Sequence, residues 1–592
     1  MTPHDDKYGT MDDARAVLRR FFGYDDFRPP QIRAVQAVLS GRDALLVLPT
    51  GGGKSICYQV PALARKGLTI VISPLISLMQ DQVETLLRKG VTSAFINSTL
   101  SADDVAERLS MADNGSLRLL YLAPERLDSP RMLDRLQQIG VALLAVDEAH
   151  CISEWGHDFR PSYRRIGLIR RALGNPQTVA LTATATPEVR NDIIRQLELI
   201  NPQEVVAGFD RTNLVYHVVP ARSQQEKDSI AIRMLRSVTE AAVVYAPTRK
   251  AVERVTATLV RGRIRAVAYH GGMEDGERKR AQDAFMKGHI PIIVATSAFG
   301  MGIDKPNVRL VVHHSMSGSL EAYYQEAGRA GRDGQTGTCV LLYTNTDRQT
   351  HEFFIRNTNP ERTAVELIWN ILRRNSDKQG HVPLDLDQLG KLLPPKLGGM
   401  AGSALRVLVA SGTLTIDKPS LTNVWIRILS TTARLQRELS STRPSDFSLL
   451  NCLIQHAGAE IFTGLTIDLR KLPPAIGGPM AIVPLLERLA SEQFLMWSKT
   501  GGGIRLDFRS TNPKWLPVDW VALEKRRQRE FGRLDAMEKY ARTSHCRRAF
   551  VLRYFGDPDA RPYCGACDRC LATTASSTAT RTTTRPKLRP VR

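Results

Sequence analysis

The chain of 592 residues lacks any run of about 18 apolar residues uninterrupted by charge, which argues against a membrane-spanning helix. Its first residues, MTPHDDKYGT, carry acids and no apolar stretch, so no secretory leader is expected. Aromatic residues are only 6% of the chain. Acids are short relative to bases, 60 against 81, leaving a formal net charge of +21. That imbalance favours a polyanionic partner, because each Lys or Arg set against a phosphate releases a condensed counterion. From charge alone, a merely basic protein is the alternative. Cysteines number eight. In the cytoplasmic, reducing setting that the missing leader implies, they are core thiols, metal ligands or reactive groups rather than disulfides.

What is present is an α/β pattern. Residues 1–40 read as helix, loop, helix. Apolar runs then alternate with helix-length stretches: ALLVLP at 44–49, LTIVIS at 68–73, LRLLYLA at 117–123, VALLAVD at 141–147 and TVALTAT at 178–184. Strands this apolar predict a parallel sheet covered on both faces. The pattern restarts with AAVVYA at 241–246, IRAVAYH at 264–270, IPIIVAT at 290–296 and VRLVVHH at 308–314. Two α/β units in tandem suggest a two-lobed motor.

From about 360 to 530 the character changes to helix-rich sequence with an internal repeat. LPPKLGG at 393–399 returns as LPPAIGG at 472–478. Each copy precedes an apolar helix, and each helix precedes a segment read as a two-stranded hairpin, GTLTIDKPSLTNVWIRIL at 412–429 and FLMWSKTGGGIRLDF at 494–508. This order predicts two winged-helix units; a helical spacer is the alternative. Residues 518–543 read as one long charged helix. The tail after Leu571 is rich in Ala, Ser and Thr with scattered bases, and is expected to lack fixed structure, as a solubilising tail or a weak DNA tether.

Residues 48–55 read LPTGGGKS between a strand and a helix. Thr50, Gly51, Gly52 and Gly53 can close backbone N–H groups around an anion, with the helix N-terminus adding partial positive charge. Lys54 supplies a charge to the β- and γ-phosphates and Ser55 a hydroxyl to Mg²⁺. Leu48 stands where the general P-loop pattern has glycine. VDEAH at 146–150 completes the site: Asp147 for the magnesium shell, Glu148 for the attacking water. In YYQEAGRAGRDG at 323–334, Arg329 and Arg332 lie three apart, on one face if helical, and can reach the γ-phosphate as arginine fingers.

These motifs resemble the RecQ helicases of superfamily 2, over about 15–345 and again at 530–571. The resemblance implies two RecA-like lobes. FGYDDFRPPQ at 22–31 is similar to the family's adenine-recognising motif, implying nucleotide contacts from Tyr24, Arg28 and Gln31, with Pro30 where the family usually has Gly. SPLISLMQDQV at 73–83, YLAPERL at 121–127, ALTATAT at 180–186, FDRTNL at 209–214 and VVYAPTRK at 243–250 follow in family order. VATSAFGMGIDKPNVRLVVH at 294–313 looks like motif V, implying a nucleotide contact from Asp304. CISEWGHDFRPSY at 151–163 resembles the aromatic-rich loop, implying a DNA sensor built from Trp155, His157, Phe159 and Arg160, beside Asp158. Stacking on such rings is worth about 1–3 kcal/mol per base.

Cys546, Cys564, Cys567 and Cys570 follow C-x17-C-x2-C-x2-C, which suits tetrahedral Zn²⁺. His545 competes with Cys546 as the first ligand, and a redox or iron–sulfur site is the alternative. The order departs from the family: a long insertion separates Arg332 from Cys546, where zinc usually follows the motor directly. The expected domains are 1–208 and 209–355 (lobes), 356–517 (insertion), 518–571 (helix and zinc region) and 572–592 (tail). The resemblance implies an ATP-dependent 3′→5′ DNA helicase of repair or recombination. ATP, Mg²⁺ and Zn²⁺ are implied as cofactors, with tailed or forked DNA and a single-strand-binding protein as partners. The setting would be the bacterial nucleoid, or the nucleus if eukaryotic. An RNA helicase, or a DNA-binding or annealing module with an idle motor, are the other readings.

Overall fold

Strands apolar on both faces need cover on both faces, and the sequence between them supplies helices with their own start signals. Thr10 caps the helix Met11–Val17 in a reciprocal pair with Asp13, and Ser101 caps Ala102–Asp113 with Asp104. Pro29 and Pro130 stand at helix starts, where the missing N–H costs nothing. A computed structural model describes residues 8–49, 51–156, 158–238, 240–300, 305–376, 381–382, 386–394, 397–416, 422–440, 443–499, 504–506, 516–557 and 560–573. Thr50, His157, Asp304, residues 500–503 and the tail from 574 lie outside the described residues.

The first lobe is a seven-stranded parallel sheet. Its strands are β1 (Ala44–Val47), β2 (Leu68–Ile72), β3 (Ser93–Ile96), β4 (Leu119–Leu122), β5 (Val141–Val146), β6 (Gln177–Thr182) and β7 (Gln203–Val206), in the order β3-β4-β2-β5-β6-β1-β7. Leu46, Val71, Leu143 and Val179 form its core. Below β1, the buried carboxylate of Asp43 meets Arg170 at 2.8 Å. The second lobe has β8 (Leu214–Pro220), β9 (Ala241–Tyr245), β10 (Ala266–Tyr269), β11 (Ile292–Ala295), β12 (Val308–His313) and β13 (Gly337–Tyr343). All are parallel, in the order β10-β11-β9-β12-β13-β8. Parallel strands bring all their C-terminal ends to one edge, where open α/β sheets hold ligands.

The chain forms two compact units: residues up to His351 together with those from Arg529, and Glu352–Gln528. Within the second lie β14 (His381–Val382), β15 (Leu414–Ile416), β16 (Asn423–Ile428), β17 (Leu465–Asp468), β18 (Leu495–Lys499) and β19 (Ile504–Leu506). The helix–helix–strand order of two winged units is there, but the expected hairpins are not. β15 pairs with β19, and β16 pairs with β17 and β18. The two sheets, β14-β19-β15 and β17-β16-β18, have therefore exchanged their third strands. Each strand keeps its apolar face inward: Val424 and Ile426 of β16 enter one core, Ile504 and Leu506 of β19 the other. Alternation fixes which face is buried and leaves the pairing partner open. Among the described residues no helix is long and apolar enough to cross a membrane.

Candidate nucleotide site, aromatic segment and cysteine cluster

β1, β6 and β5 are neighbours, so the glycine loop after β1, the Thr-rich segment after β6 and the acids after β5 meet at one edge. The loop turns on Gly51 and Gly53, at φ +79° and +74°, a region that only glycine occupies freely. Arg28 Nη1 donates to Gly51 O at 3.0 Å. Gln31 Nε2 donates to the Gly52 and Gly53 carbonyls at 3.2 and 3.3 Å, and its Oε1 accepts from Arg28 N at 2.9 Å. Both ends of the buried Gln31 amide are thus bound to backbone. Lys54 Nζ donates to Leu48 O at 3.3 Å, and Ser55 begins the helix Ile56–Ala64. Tyr24 stands largely open to solvent.

Asp147 ends β5. Its backbone N–H donates to Ile72 O at 2.9 Å, and its Oδ1 accepts from Glu148 N at 2.9 Å. Burial, then the neighbouring Glu148 carboxylate, push the Asp147 carboxyl up to about 6, against the pull of the Lys54 ammonium. A buried acid held away from its charged form beside a second acid is a donor set that a divalent cation would satisfy, so these residues fit magnesium. Glu148 adopts φ +47°, and its Oε2 lies 3.3 Å from His150 Nδ1. The same Nδ1 lies 2.9 Å from Thr182 Oγ1, which ties the acids to the end of β6.

The aromatic segment follows directly. Gly156 is required by packing, since a Cβ there would come within 2.3 Å of His150 O. Ser153 Oγ donates to the buried Asp192 at 2.6 Å and accepts from Trp155 N at 3.1 Å. Arg160 holds Asp158 Oδ2 at 3.0 Å and donates to Pro74 O at 2.7 Å. Tyr163 donates to Asp147 O at 3.0 Å. Trp155 is 42% exposed, Phe159 half-buried. Side chains that sequence reasoning missed complete the segment: Arg529 Cζ lies 4.2 Å from the Trp155 ring centre, and Arg533 Nη2 donates to Glu154 O at 3.2 Å. Nothing local in the sequence signals a contact across so long a separation.

Arg329 and Arg332 stand in turns after the helix Leu320–Ala327, not on a helix face. Gly328 ends the helix and Gly331, at φ +57°, turns the chain again. Arg329 is buried and donates to Gly300 O within its own lobe.

The sulfurs of Cys546, Cys564, Cys567 and Cys570 all lie within 4.8 Å of one another. Backbone N–H groups of Arg547 and Ala566 approach Cys567 Sγ and Cys564 Sγ at 3.4 and 3.5 Å, the environment of a metal-bound thiolate, so the residues fit zinc. Cys546 belongs to the cluster; His545 Nδ1 instead lies 3.1 Å from Ser544 Oγ. Arg548, two residues after Cys546, donates to the Thr212 and Leu214 carbonyls at 3.0 and 2.6 Å. Phe555 stacks on Phe209 at 4.9 Å. The cysteine region is thereby fastened to the start of the second lobe.

Three families match the chain: DEAD/DEAH box helicase at residues 28–193, helicase conserved C-terminal domain at 226–334, and RecQ zinc-binding at 511–571. The ATP-dependent DNA helicase RecQ of Bacillus subtilis is 48% identical over 350 residues, 59% of this chain and 59% of that protein. RecQ of Pasteurella multocida is 42% identical over 353 residues, 60% of this chain and 56% of that protein. The chain thus spans less than two thirds of the length of these relatives. RecS of Bacillus subtilis is 37% identical over 370 residues, 62% of this chain and 74% of that protein. With the glycine loop, the paired acids, the aromatic segment and the four-cysteine cluster all present, the chain belongs to the RecQ family of superfamily 2 helicases.

Proposed function

We propose that the protein is an ATP-dependent DNA helicase that translocates 3′→5′ along one strand and unwinds duplexes, in repair or recombination. The observation that carries this reading is the direct bond from the aromatic segment to the acids, the Tyr163 hydroxyl to Asp147 O. A strand stacking on Trp155 and Phe159 would pull on the backbone that positions the hydrolytic acids.

In this reading Thr50, Gly51, Gly52, Gly53 and Lys54 hold the phosphates, and Tyr24, Arg28 and Gln31 frame the base. Gln31 would trade a loop carbonyl for an adenine edge. Ser55 and Asp147 would hold Mg²⁺, which when bound offsets the charge of the β- and γ-oxygens. Glu148 orients and deprotonates the attacking water. Arg329, Arg332 and Asp304 serve the nucleotide from the second lobe, where closure would draw Arg329 from Gly300 O. His157 joins Trp155, Phe159 and Arg160 in the strand contact. Residues 1–208 and 209–355 are the lobes, 356–517 an accessory insertion, 518–571 a zinc-stabilised support and 572–592 a basic tail. The partners are tailed or forked DNA and a single-strand-binding protein, in the bacterial nucleoid or the nucleus.

The test is ATP hydrolysis with single-stranded DNA or RNA, alongside unwinding of 3′-tailed and 5′-tailed duplexes. DNA-selective stimulation and 3′-tail preference are expected, both absent in Lys54→Ala. Stimulation by RNA alone, or unwinding that survives Lys54→Ala, refutes the reading.

A further inference from the structure

Trp155, read above as the base-stacking residue, does not present both of its faces to solvent. The guanidinium of Arg529 lies over its ring at 4.2 Å. Arg529 Nη1 also reaches Glu154 Oε2 at 3.4 Å, while Glu154 Oε1 takes Arg164 at 2.7 Å. One turn further along the same helix, Arg533 takes the Glu154 carbonyl. The helix Trp520–Arg542 thus sets two arginines on Glu154, one of which also covers the ring beside it.

We propose that Arg529 parks Trp155 in the DNA-free protein, so that an incoming strand must displace the arginine before it can engage the aromatic segment. The inference rests on the DNA-sensing reading of Trp155. Charge explains the direction. Arg529 is only 19% exposed and already set against Glu154, so it is not a free phosphate ligand. A guanidinium over an indole gains from the ring's quadrupole, and a base gains comparably from stacking on the same face; the two compete. Phosphates arriving with the strand compete with Glu154 for the arginines, because guanidinium–phosphate bonds are charge-assisted and bidentate. The parked state therefore raises the DNA concentration needed to trigger hydrolysis without altering the hydrolytic residues. Arg529 is a positioning residue that acts through Trp155.

The test measures ATP hydrolysis by the full chain against increasing single-stranded oligonucleotide. Arg529→Met keeps an unbranched apolar stem and removes the charge. The DNA concentration at half-stimulation should fall about three- to tenfold, with the rate at saturating DNA within about twofold of the parent. Arg529→Lys, which keeps a cation over the ring, should stay near the parent. Glu154→Gln, which loosens the anchor from the other side, should shift in the same direction as Arg529→Met and serves if that variant folds poorly. A half-stimulation value that is unchanged or higher in both Arg529→Met and Glu154→Gln overturns the proposal. Trp155→Ala separates the two readings. If it still responds to DNA, the sensor reading fails; if it does not respond while the Met and Gln variants match the parent, only the parking contact fails.

Discussion

The hydroxyl of Tyr163 donates to the backbone carbonyl of Asp147 at 3.0 Å, joining the far end of the aromatic segment to the strand end that carries the acids. Tyr163 is fully buried, so its hydroxyl has no solvent alternative. Tyr163→Phe removes the link and leaves the ring's packing intact. The expected outcome is a several-fold loss of DNA-stimulated hydrolysis with DNA-free hydrolysis and nucleotide binding within about twofold of the parent. A steady-state titration of DNA and ATP checks this; equal stimulation in both proteins would remove Tyr163 from the coupling path.

The cysteine cluster makes a metal prediction. Cys567 accepts the Arg547 N–H, and Arg547 is itself buried, with its guanidinium on Asp568 and on the Tyr540 carbonyl. Loss of one sulfur therefore unseats an arginine as well as a metal. Cys567→Ser should lose one zinc per chain and several kcal/mol of stability, read by metal analysis and thermal unfolding. Full zinc content at unchanged stability would contradict a structural metal there.

Lys227 and Asp347 form an ion pair at 2.6 Å with both side chains out of solvent. Asp347 also accepts from Met316 N and Thr344 Oγ1, at 3.0 and 2.7 Å. Lys227→Met leaves that carboxylate buried without its counterion and should cost about 3–5 kcal/mol. Adding Asp347→Asn removes the orphan charge while keeping an acceptor, and should recover part of the loss. Denaturant unfolding followed across the single and double variants decides it: a double variant no better than Lys227→Met would show that the charge was not the source of the cost.

One buried histidine and one half-buried histidine set an acid limit. His314 lies 2.7 Å from Asp228 Oδ1, and His351 Nε2 2.6 Å from Met316 O. Burial holds both imidazoles below their usual 6.5, outweighing Asp228 in the first case. As pH falls below 6.5, the unfolded chain takes up protons that the folded lobe refuses, so stability drops toward the folded values; above 6.5 the contribution is flat. Thermal midpoints taken from about pH 7.5 to about pH 5.5 should fall more steeply for the parent than for a His314→Gln, His351→Gln double variant. Parallel slopes would exclude these two groups.

Much of the motor was legible because its central strands are buried on both faces and read as unbroken apolar runs. β3, β7 and β8 stand at sheet edges and break or shorten their apolar runs with Ser93, Gln203, Glu204 and His217, whereas β10, also at an edge, keeps an unbroken AVAY. β13 is as apolar as the strands that were picked out, and its omission has no such reason. Whether Arg329 and Arg332 share a helix face was left open by their spacing, and Gly328 and Gly331 settle it by turning the chain after Ala327. The expected hairpins failed for a different cause, since period-two alternation is the same whichever strand lies alongside. The contacts of Arg529 and Arg533 had no local signature at all, being choices of the folded chain.

The reciprocal loan of β16 and β19 makes the insertion indivisible. A nascent chain that has emerged only as far as Ile428 carries β14 and β15 with the place between them vacant, and holds β16 with no neighbour to bind. β16 gains its neighbours once Lys499 is out, but the place between β14 and β15 fills only once Leu506 has left the ribosome, so folding waits on the longest-range pairings in that unit and exposes bare edges meanwhile. Cutting the chain between the repeats would release two halves that each seek the other's strand, and the complementary halves mixed at high concentration would find it by intertwining.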